Sequence, residues 1–312
     1  MRAASVVPGH AKAAPQATTT HLSLEECRSP ESQFADMVKD AAVSSRVEPR
    51  ALSVRTLLHL PRVARHNGSV SRRLIEAELR RCAAGLRTDQ AKLRELVPTD
   101  GFPLRDLCFE VLDSHRAEAI FSRLHYLRSA RTGSLNFALV DPVSGLPVSL
   151  CSISPLEWVR VGRQLETQFR VPRTNVWDVS RVYSFEVAPA NAISFLLAKV
   201  RNVIRRQAPH VELLTTAVDP NLGFHGSSYR AANWQRWMSI QARPYLYVDR
   251  LYASPRQLRE RFGTANLTEL RTRHGAVVEQ SRAKLLDSLI FCARVRGETE
   301  ALSPEDQRRL RR

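Results

Sequence analysis

The sequence predicts a mixed α/β fold, and three observations carry that reading. Two short apolar runs at 135–140 and 148–153 flank Asp141-Pro-Val-Ser-Gly-Leu-Pro147, whose turn formers make the pair an antiparallel hairpin. The run Arg181-Val-Tyr-Ser-Phe-Glu-Val187 alternates as a strand does, and an apolar stripe at Ile193, Leu196, Leu197, Val200, Val203 and Ile204 then marks a helix. Lys199, Arg201, Arg205 and Arg206 fall on the other side of that helix, Pro209 follows its end, and a second strand-like run occupies 211–218. Residues 181–218 therefore read as a βαβ unit with parallel strands. A helix over about 113–124 precedes the hairpin, while a short helix at about 227–234 and a strand at 245–251 complete the core.

The flanks differ in character. Residues 1–30 carry no helical or strand period and read as a disordered tail. Over 31–100 the period is helical, with Leu74, Ile75, Leu79, Cys82 and Leu86 on one stripe and Arg72, Arg73, Arg80, Arg81 and Arg87 between them. The turn-rich stretch Val97-Pro-Thr-Asp-Gly-Phe-Pro103 separates this basic helical region from a catalytic-type domain over 101–253. Residues 254–312 read as a helical, charged extension that ends Arg308-Arg-Leu-Arg-Arg312.

Composition narrows the partners. A chain of 312 residues that is 43% apolar can bury one sizeable core with appendages or two small ones. No window approaches the roughly 18 to 20 apolar residues that cross a bilayer, and no secretory leader pattern opens the chain, so a cytoplasmic location without membrane contact is expected. Cys27, Cys82, Cys108, Cys151 and Cys292 are scattered and form no CxxC pair, which supports neither a disulfide framework nor a cysteine zinc site. The net charge of +16 favours polyanions and makes nucleic acid the leading candidate partner. Only five of the 47 basic residues are lysine, and a genome rich in G and C supplies arginine without functional demand.

The densest concentration of reactive side chains is Asp219-Pro-Asn-Leu-Gly-Phe-His-Gly-Ser-Ser-Tyr-Arg-Ala-Ala-Asn-Trp234, directly after the second parallel strand. Ligands of βαβ units collect beyond the carboxyl ends of the strands, beside helix N-termini. Asp219 and the helix start at Asn191 to Ser194 both fall there. Asp219 can serve as a base or a metal ligand, or cap an Asx turn before Pro220. Asn191 reads as an N-cap or a substrate contact. Gly223 and Gly226 permit close backbone approach to a bound group. His225 fits metal binding, proton transfer or packing, although no HxH or HExxH spacing supports a metal. Tyr229 can donate a proton to a leaving group, with Asn233 one turn along the same helix side, while Trp234 reads as core.

His125-Tyr126, Arg181, Asn191 with Ser194, and the block Asp219 … Gly223-Phe-His225-Gly226-Ser-Ser-Tyr229-Arg-Ala-Ala-Asn233-Trp234 resemble the Mom-type DNA-modification proteins of Mu-like phages. The likeness spans about residues 113–252, and the same block is similar to the core of DruA-type proteins associated with phage defence. The resemblance implies a GNAT-like sheet and modification of the exocyclic amine of adenine in DNA with a carbamoylmethyl or methylcarbamoyl-type group that blocks restriction. It places functional roles on Tyr126, Arg181, Ser194, Asp219 and Tyr229, and makes His125 a candidate iron ligand. The implied cofactors are iron or a small-molecule group donor of the acyl-CoA type. Two positions depart from the expected pattern: Glu186-Val-Ala-Pro-Ala-Asn191 lacks the glycines of the usual pyrophosphate turn, and Gln235-Arg-Trp-Met-Ser239 lacks a glycine after Asn-Trp. The first departure argues against conventional acetyl-CoA use. A DruA-like nucleic-acid-binding defence or transposition-accessory protein, and an N-acyltransferase acting on a small amine, are the alternative readings.

Overall fold

Side-chain caps set the first helix starts. The computed structural model describes residues 20–274 and 277–301. β1 (His21–Ser23) leads into α1 (Leu24–Arg28), where Ser23 and Glu26 form a reciprocal capping box. Ser32 and Glu48 accept from the first turns of α2 (Gln33–Ser45) and α3 (Pro49–Val63). β2 (Ser69–Ser71) pairs with β1 and opens α4 (Arg72–Ala91). The expected tail is thus structured from β1 onward, because Leu22, Leu24 and Cys27 bury their side chains in the helical core. Residues 1–19 and the basic end at 308–312 lie outside the described residues.

α3 is buried on nearly every side, including Arg55, His59 and Arg62. Buried guanidinium groups need partners. Arg55 pairs with Asp89 at 2.8 Å and Arg62 with Glu78 at 2.6 Å, tying α3 to α4. Of the expected α4 stripe, Ile75, Leu79, Cys82 and Leu86 are buried, while Leu74 is exposed. The steps of three and four among the buried four fix the inward arc, and a residue next to Ile75 stands about 100° off it.

The remaining elements, in order, are β3 (Cys108–Val111), α5 (Ser114–Arg123), β4 (Leu135–Val140), β5 (Pro147–Pro155), α6 (Val159–Phe169), β6 (Val176–Ser184), α7 (Ala192–Gln207), β7 (Leu213–Val218), α8 (Ser227–Ala231) and β8 (Gln235–Ile240). They are followed by β9 (Leu246–Val248), β10 (Leu251–Tyr252), α9 (Pro255–Phe262), α10 (Leu267–His274), β11 (Val278–Gln280) and β12 (Ser288–Arg294). Seven strands form one mixed sheet in the order β3-β4-β5-β6-β7-β12-β8. Every neighbouring pair is antiparallel except β6 and β7, the strands of the βαβ unit.

One face of this sheet is covered by α7. Leu196, Leu197, Val200, Val203 and Ile204 pack there on Leu139, Cys151, Val179 and Leu214, each large apolar side chain contributing about 1.5 to 3 kcal/mol. The opposite face receives α2, α3, α4 and α5 over Ala138, Val140, Leu150 and Phe185, so the N-terminal helices share a core with the sheet rather than forming a separate one. α6 closes the far end of that face through Val161, Leu165 and Phe169, against Trp237, Ile290 and Cys292.

Three placements differ from the sequence reading. The core strand after α8 is β8, whereas β9, within the expected strand at 245–251, belongs to a separate small sheet ordered β10-β9-β11. α9 and α10 supply the helices expected after residue 254, but the same span also holds β12, inserted between β7 and β8. β12 is a continuous apolar run, Leu289 to Ala293, far from its partners in sequence, so its pairing could not be read from neighbours. Among the described residues no helix is long and apolar enough to cross a membrane.

Candidate active site

The site grows from an interruption in the sheet. β6 and β7 pair at Val176 with Leu213, Trp177 with Leu214 and Asp178 with Thr215, and the parallel ladder stops there although both strands continue. Beyond that point Thr216 Oγ1 donates to the Val179 carbonyl at 2.9 Å, a side chain standing where a backbone bond would be. The Tyr229 hydroxyl lies 3.4 Å from the same Oγ1, and its ring stacks on Phe291 and meets Trp234 edge-on. Trp234 is core, as expected. Burial pushes the Tyr229 phenol upward, so it remains protonated.

Asp219 follows the end of β7. Pro220 cannot extend the ladder, and the chain turns through a 3₁₀ segment, Pro220–Leu222, with Asp219 as its cap. Asp219 Oδ1 accepts from the Asn221 backbone N–H at 2.9 Å and from Asn221 Nδ2 at 2.8 Å. The Tyr245 hydroxyl donates to Oδ2. The Asx turn expected as one reading of Asp219 is thus present. Asn221 is buried, and its Oδ1 accepts from Arg28 Nη2 at 2.9 Å and from Leu286 N–H at 2.8 Å.

Tyr126 connects the two groups. Burial raises its pKa most, the Asp219 carboxylate, Tyr252 and Tyr229 add to the rise, and the Arg181 guanidinium opposes it. Its ring lies 4.5 Å from His125 and 6.2 Å from Phe224, centroid to centroid. Tyr252 lies 5.3 Å from the Tyr245 ring, and its phenol is raised by burial and then by Asp219. Tyr126, Arg181, Asp219 and Tyr229 therefore occupy one electrostatic neighbourhood, completed by Tyr245, Tyr252 and Arg28, which the sequence did not single out.

The remaining expected residues divide. Arg181 donates to Ser129 O at 2.9 Å, to Ser180 O at 2.6 Å and to Ser129 Oγ at 3.3 Å, so much of its donor fork clamps the loop after α5. Gly226 is needed for packing rather than ligand approach: at φ +73° its missing Cβ would stand 2.2 Å from Phe291 Cζ. Gly223, at φ +79°, faces Arg28 O and Leu57 instead of a ligand space. His225 is exposed, and its carbonyl accepts from Arg230. Asn233 does not share a helix side with Tyr229, because α8 ends at Ala231 and Asn233 adopts an exposed left-handed conformation at φ +61°.

Asn191 and Ser194 lie in a second compartment. A cleft of about 290 Å³ at the mouth of α7 is lined by Arg50, Ser184, Asn191, Ser194, Ser227 and Ser228, among others, with no carboxylate in the lining. Asn191 is the N-cap residue, at φ +65° with no side-chain cap bond, and its carbonyl accepts from Ser194 Oγ at 2.9 Å. The compartments meet at α8, where Ser227 and Ser228 line the cleft and Tyr229 enters the strand opening.

The profile of the Mom protein family matches residues 106–287, more than half of the chain and all of the strand opening. The chain belongs to the Mom protein family. No curated protein sequence matches it. Among solved structures, similarity extends to a Salmonella typhimurium protein described as an acetyltransferase and solved with acetyl-CoA, at 9% identity over 62% of this chain and 97% of that one, with a TM-score of 0.35. A Sphaerobacter thermophilus protein described as an acetyltransferase gives 11% identity over 60% and 93%, with a TM-score of 0.32. An aminoglycoside N(6')-acetyltransferase of Legionella pneumophila gives 8% over 61% and 92%, with a TM-score of 0.30. Likenesses this distant assign neither substrate nor cofactor.

For this Mom-family chain, an iron ligand at His125 does not fit the donor set. His125 Nδ1 accepts from Leu127 N–H at 3.2 Å, which commits that lone pair, and burial together with the nearby Arg181 holds the imidazole neutral. Among the described residues no group of three or more His, Cys, Asp or Glu side chains is arranged to hold a metal ion. The α7 mouth does fit an anionic group. Arg50, which also pairs with Glu186 at 3.8 Å, and several hydroxyls line a space with no carboxylate in its lining, and Asn191 takes the left-handed conformation that the glycine-free turn requires.

Proposed function

We propose that this protein transfers a carbon-bearing group from a small-molecule acyl-type donor to the exocyclic amine of adenine in DNA, protecting that DNA from restriction. The observation that carries the proposal is the buried Tyr126 phenol, within electrostatic reach of Asp219, Arg181 and Tyr229, in a Mom-family chain whose β6–β7 ladder opens beside Tyr229. An exocyclic amine conjugated with its ring is a weak nucleophile and gains from a base within hydrogen-bond reach.

Arg50, Ser194, Ser228 and Asn191 at the α7 mouth would hold the anionic end of the donor. When bound, an acyl thioester supplies an electrophilic carbon and a thiolate leaving group. Asp219 Oδ2 takes the proton released as the adenine nitrogen forms its new bond. Tyr229, held protonated beside the opening, would offer its hydroxyl as a hydrogen-bond donor to the leaving group. The base reaches this recess only after leaving the duplex stack. The aromatic rings of Tyr126, Phe224 and Tyr252 offer it stacking surfaces, and the chain's excess of arginine holds the phosphates outside.

The test is nucleoside analysis by mass spectrometry of DNA from cells expressing the chain. A mass-shifted deoxyadenosine is expected with the wild type. Asp219→Asn should reduce it by about 10²- to 10⁴-fold at equal soluble protein. Unaltered nucleosides in the presence of soluble wild-type protein reject the proposal.

A further inference from the structure

Asp219 is gripped from a part of the chain that no local pattern connects to it. Tyr245 lies 26 residues further on, in the excursion between β8 and β12. That excursion has its own core of Val248, Leu258, Leu270 and Val278, and it is fastened to α3. Tyr247 donates to Leu58 O at 2.9 Å, Tyr252 N–H donates to His59 Nε2 at 3.2 Å, and Arg282 N–H donates to Pro61 O at 2.8 Å. The Tyr245 backbone is itself pinned on both sides, its N–H donating to Ser281 Oγ at 3.2 Å and its carbonyl accepting from Ser281 N–H at 2.9 Å. The phenol therefore approaches Asp219 on a rigid mount.

A carboxylate offers about four acceptor positions. Asn221 takes two on Oδ1 and Tyr245 takes one on Oδ2, leaving one. We infer that Tyr245 is a positioning residue that fixes the rotation of the Asp219 carboxylate and aims the remaining Oδ2 lone pair at the acceptor amine. This inference rests on the transfer reading above. In the step, the amine N–H bond breaks, the nitrogen bonds to the donor carbon, and the proton passes to Oδ2, while Tyr245 keeps its own proton. Burial and the adjoining carboxylate both oppose ionisation of that phenol, so it stays a donor throughout.

The titratable and charged groups around Asp219 are Tyr245, Tyr252 on β10, Tyr126 after α5 and Arg28 on α1, with Arg181 beyond Tyr126. None of these changes charge between about pH 5 and about pH 9, because the phenols are all pushed upward and the guanidinium groups stay protonated.

The experiment compares wild type, Tyr245→Phe and Asp219→Asn in two ways. The first is the yield of modified deoxyadenosine in cells, at matched soluble protein and with melting temperatures measured. The second is the infrared carboxylate band of Asp219, in aspartate-labelled protein, taken as the difference from Asp219→Asn. Tyr245→Phe should lower the yield roughly tenfold, the factor expected for losing one hydrogen bond to a charged acceptor. It should also shift the Asp219 band. An unshifted band with wild-type yield overturns the inference. If the wild type gives no modified nucleoside, the transfer reading fails, while an unshifted band by itself shows that Tyr245 does not hold Asp219. Should the phenylalanine variant not fold, 3-fluorotyrosine incorporated at position 245 keeps the ring and hydroxyl while making the donor stronger, and an unchanged band then overturns the inference.

Discussion

Asp219 and Tyr229 reach the site along one continuous stretch, from the end of β7 through a tight turn to α8. Tyr245, Arg28 and Arg50 reach it from the 241–287 excursion and from helices at the start of the chain. The first wall is fixed by sheet pairing and by the Phe291 ring beneath Gly226. The second exists only because α3 is sealed in a core shared by the N-terminal helices and the sheet. A wall of the first kind is set by strand register, and one of the second kind by the packing of a buried, partly polar helix. The two should therefore fail separately.

The largest expected effect is on the second wall. Asp89→Asn removes the partner of buried Arg55 and of Arg128, and should cost about 3 to 5 kcal/mol by leaving a buried guanidinium unpaired. Urea denaturation followed by tryptophan fluorescence measures it, and a loss below about 1 kcal/mol would mean that α3 does not depend on that pair. Gly226→Ala strikes the first wall. A methyl group 2.2 Å from Phe291 Cζ, on a left-handed backbone, should cost about 3 kcal/mol and disturb the seat of Tyr229. Unchanged melting in that variant breaks the account of the first wall.

Acidification tests the second wall without mutation. Burial pushes His59 on α3 down to about 4, and His125 moves in the same direction. Both imidazoles are neutral in the fold, whereas the unfolded chain takes up protons near pH 6.5. Their contribution is present above about pH 6.5 and is lost as pH falls toward about 4, by roughly 2 kcal/mol for His59 alone between about pH 7 and about pH 5. Denaturant midpoints at those two values check it, and His59→Gln should flatten the difference. The smallest effect belongs to Arg28→Met, which removes the bond to Asn221 and should cost about 1.5 kcal/mol at most, seen as a severalfold fall in modified deoxyadenosine with little change in melting.

The same division explains what the sequence could disclose. The hairpin, α5, the βαβ unit and the strand-end position of Asp219 follow from local periods and turn residues, and these elements lie close to where the patterns put them. Tyr245 carries no local mark of its partner, since β9 reads like any short strand until the separate sheet it joins is known. Arg28 lies in a stretch whose sequence resembles a tail, and it meets Asn221 only through the folded chain, 193 residues away. Gly226 could be read as a glycine that some neighbour requires, but that the neighbour is Phe291 depends on the insertion of β12 beside β7. Asn191 and Ser194 were rightly placed at a helix mouth, yet that mouth is a compartment apart from the carboxylate.

β12 is synthesised after every other strand of the large sheet, and it slots between two that precede it. While the ribosome is still upstream of residue 288, β7 has an open edge and the ring that supports Tyr229 does not yet exist. Assembly of this neighbourhood thus waits for β12: a nascent chain already bearing Asp219, Tyr229 and Tyr245 lacks the floor on which they assemble. Pulse-labelled intermediates arrested before that strand should be readily cleaved by protease around residues 216–229 and become resistant once it emerges.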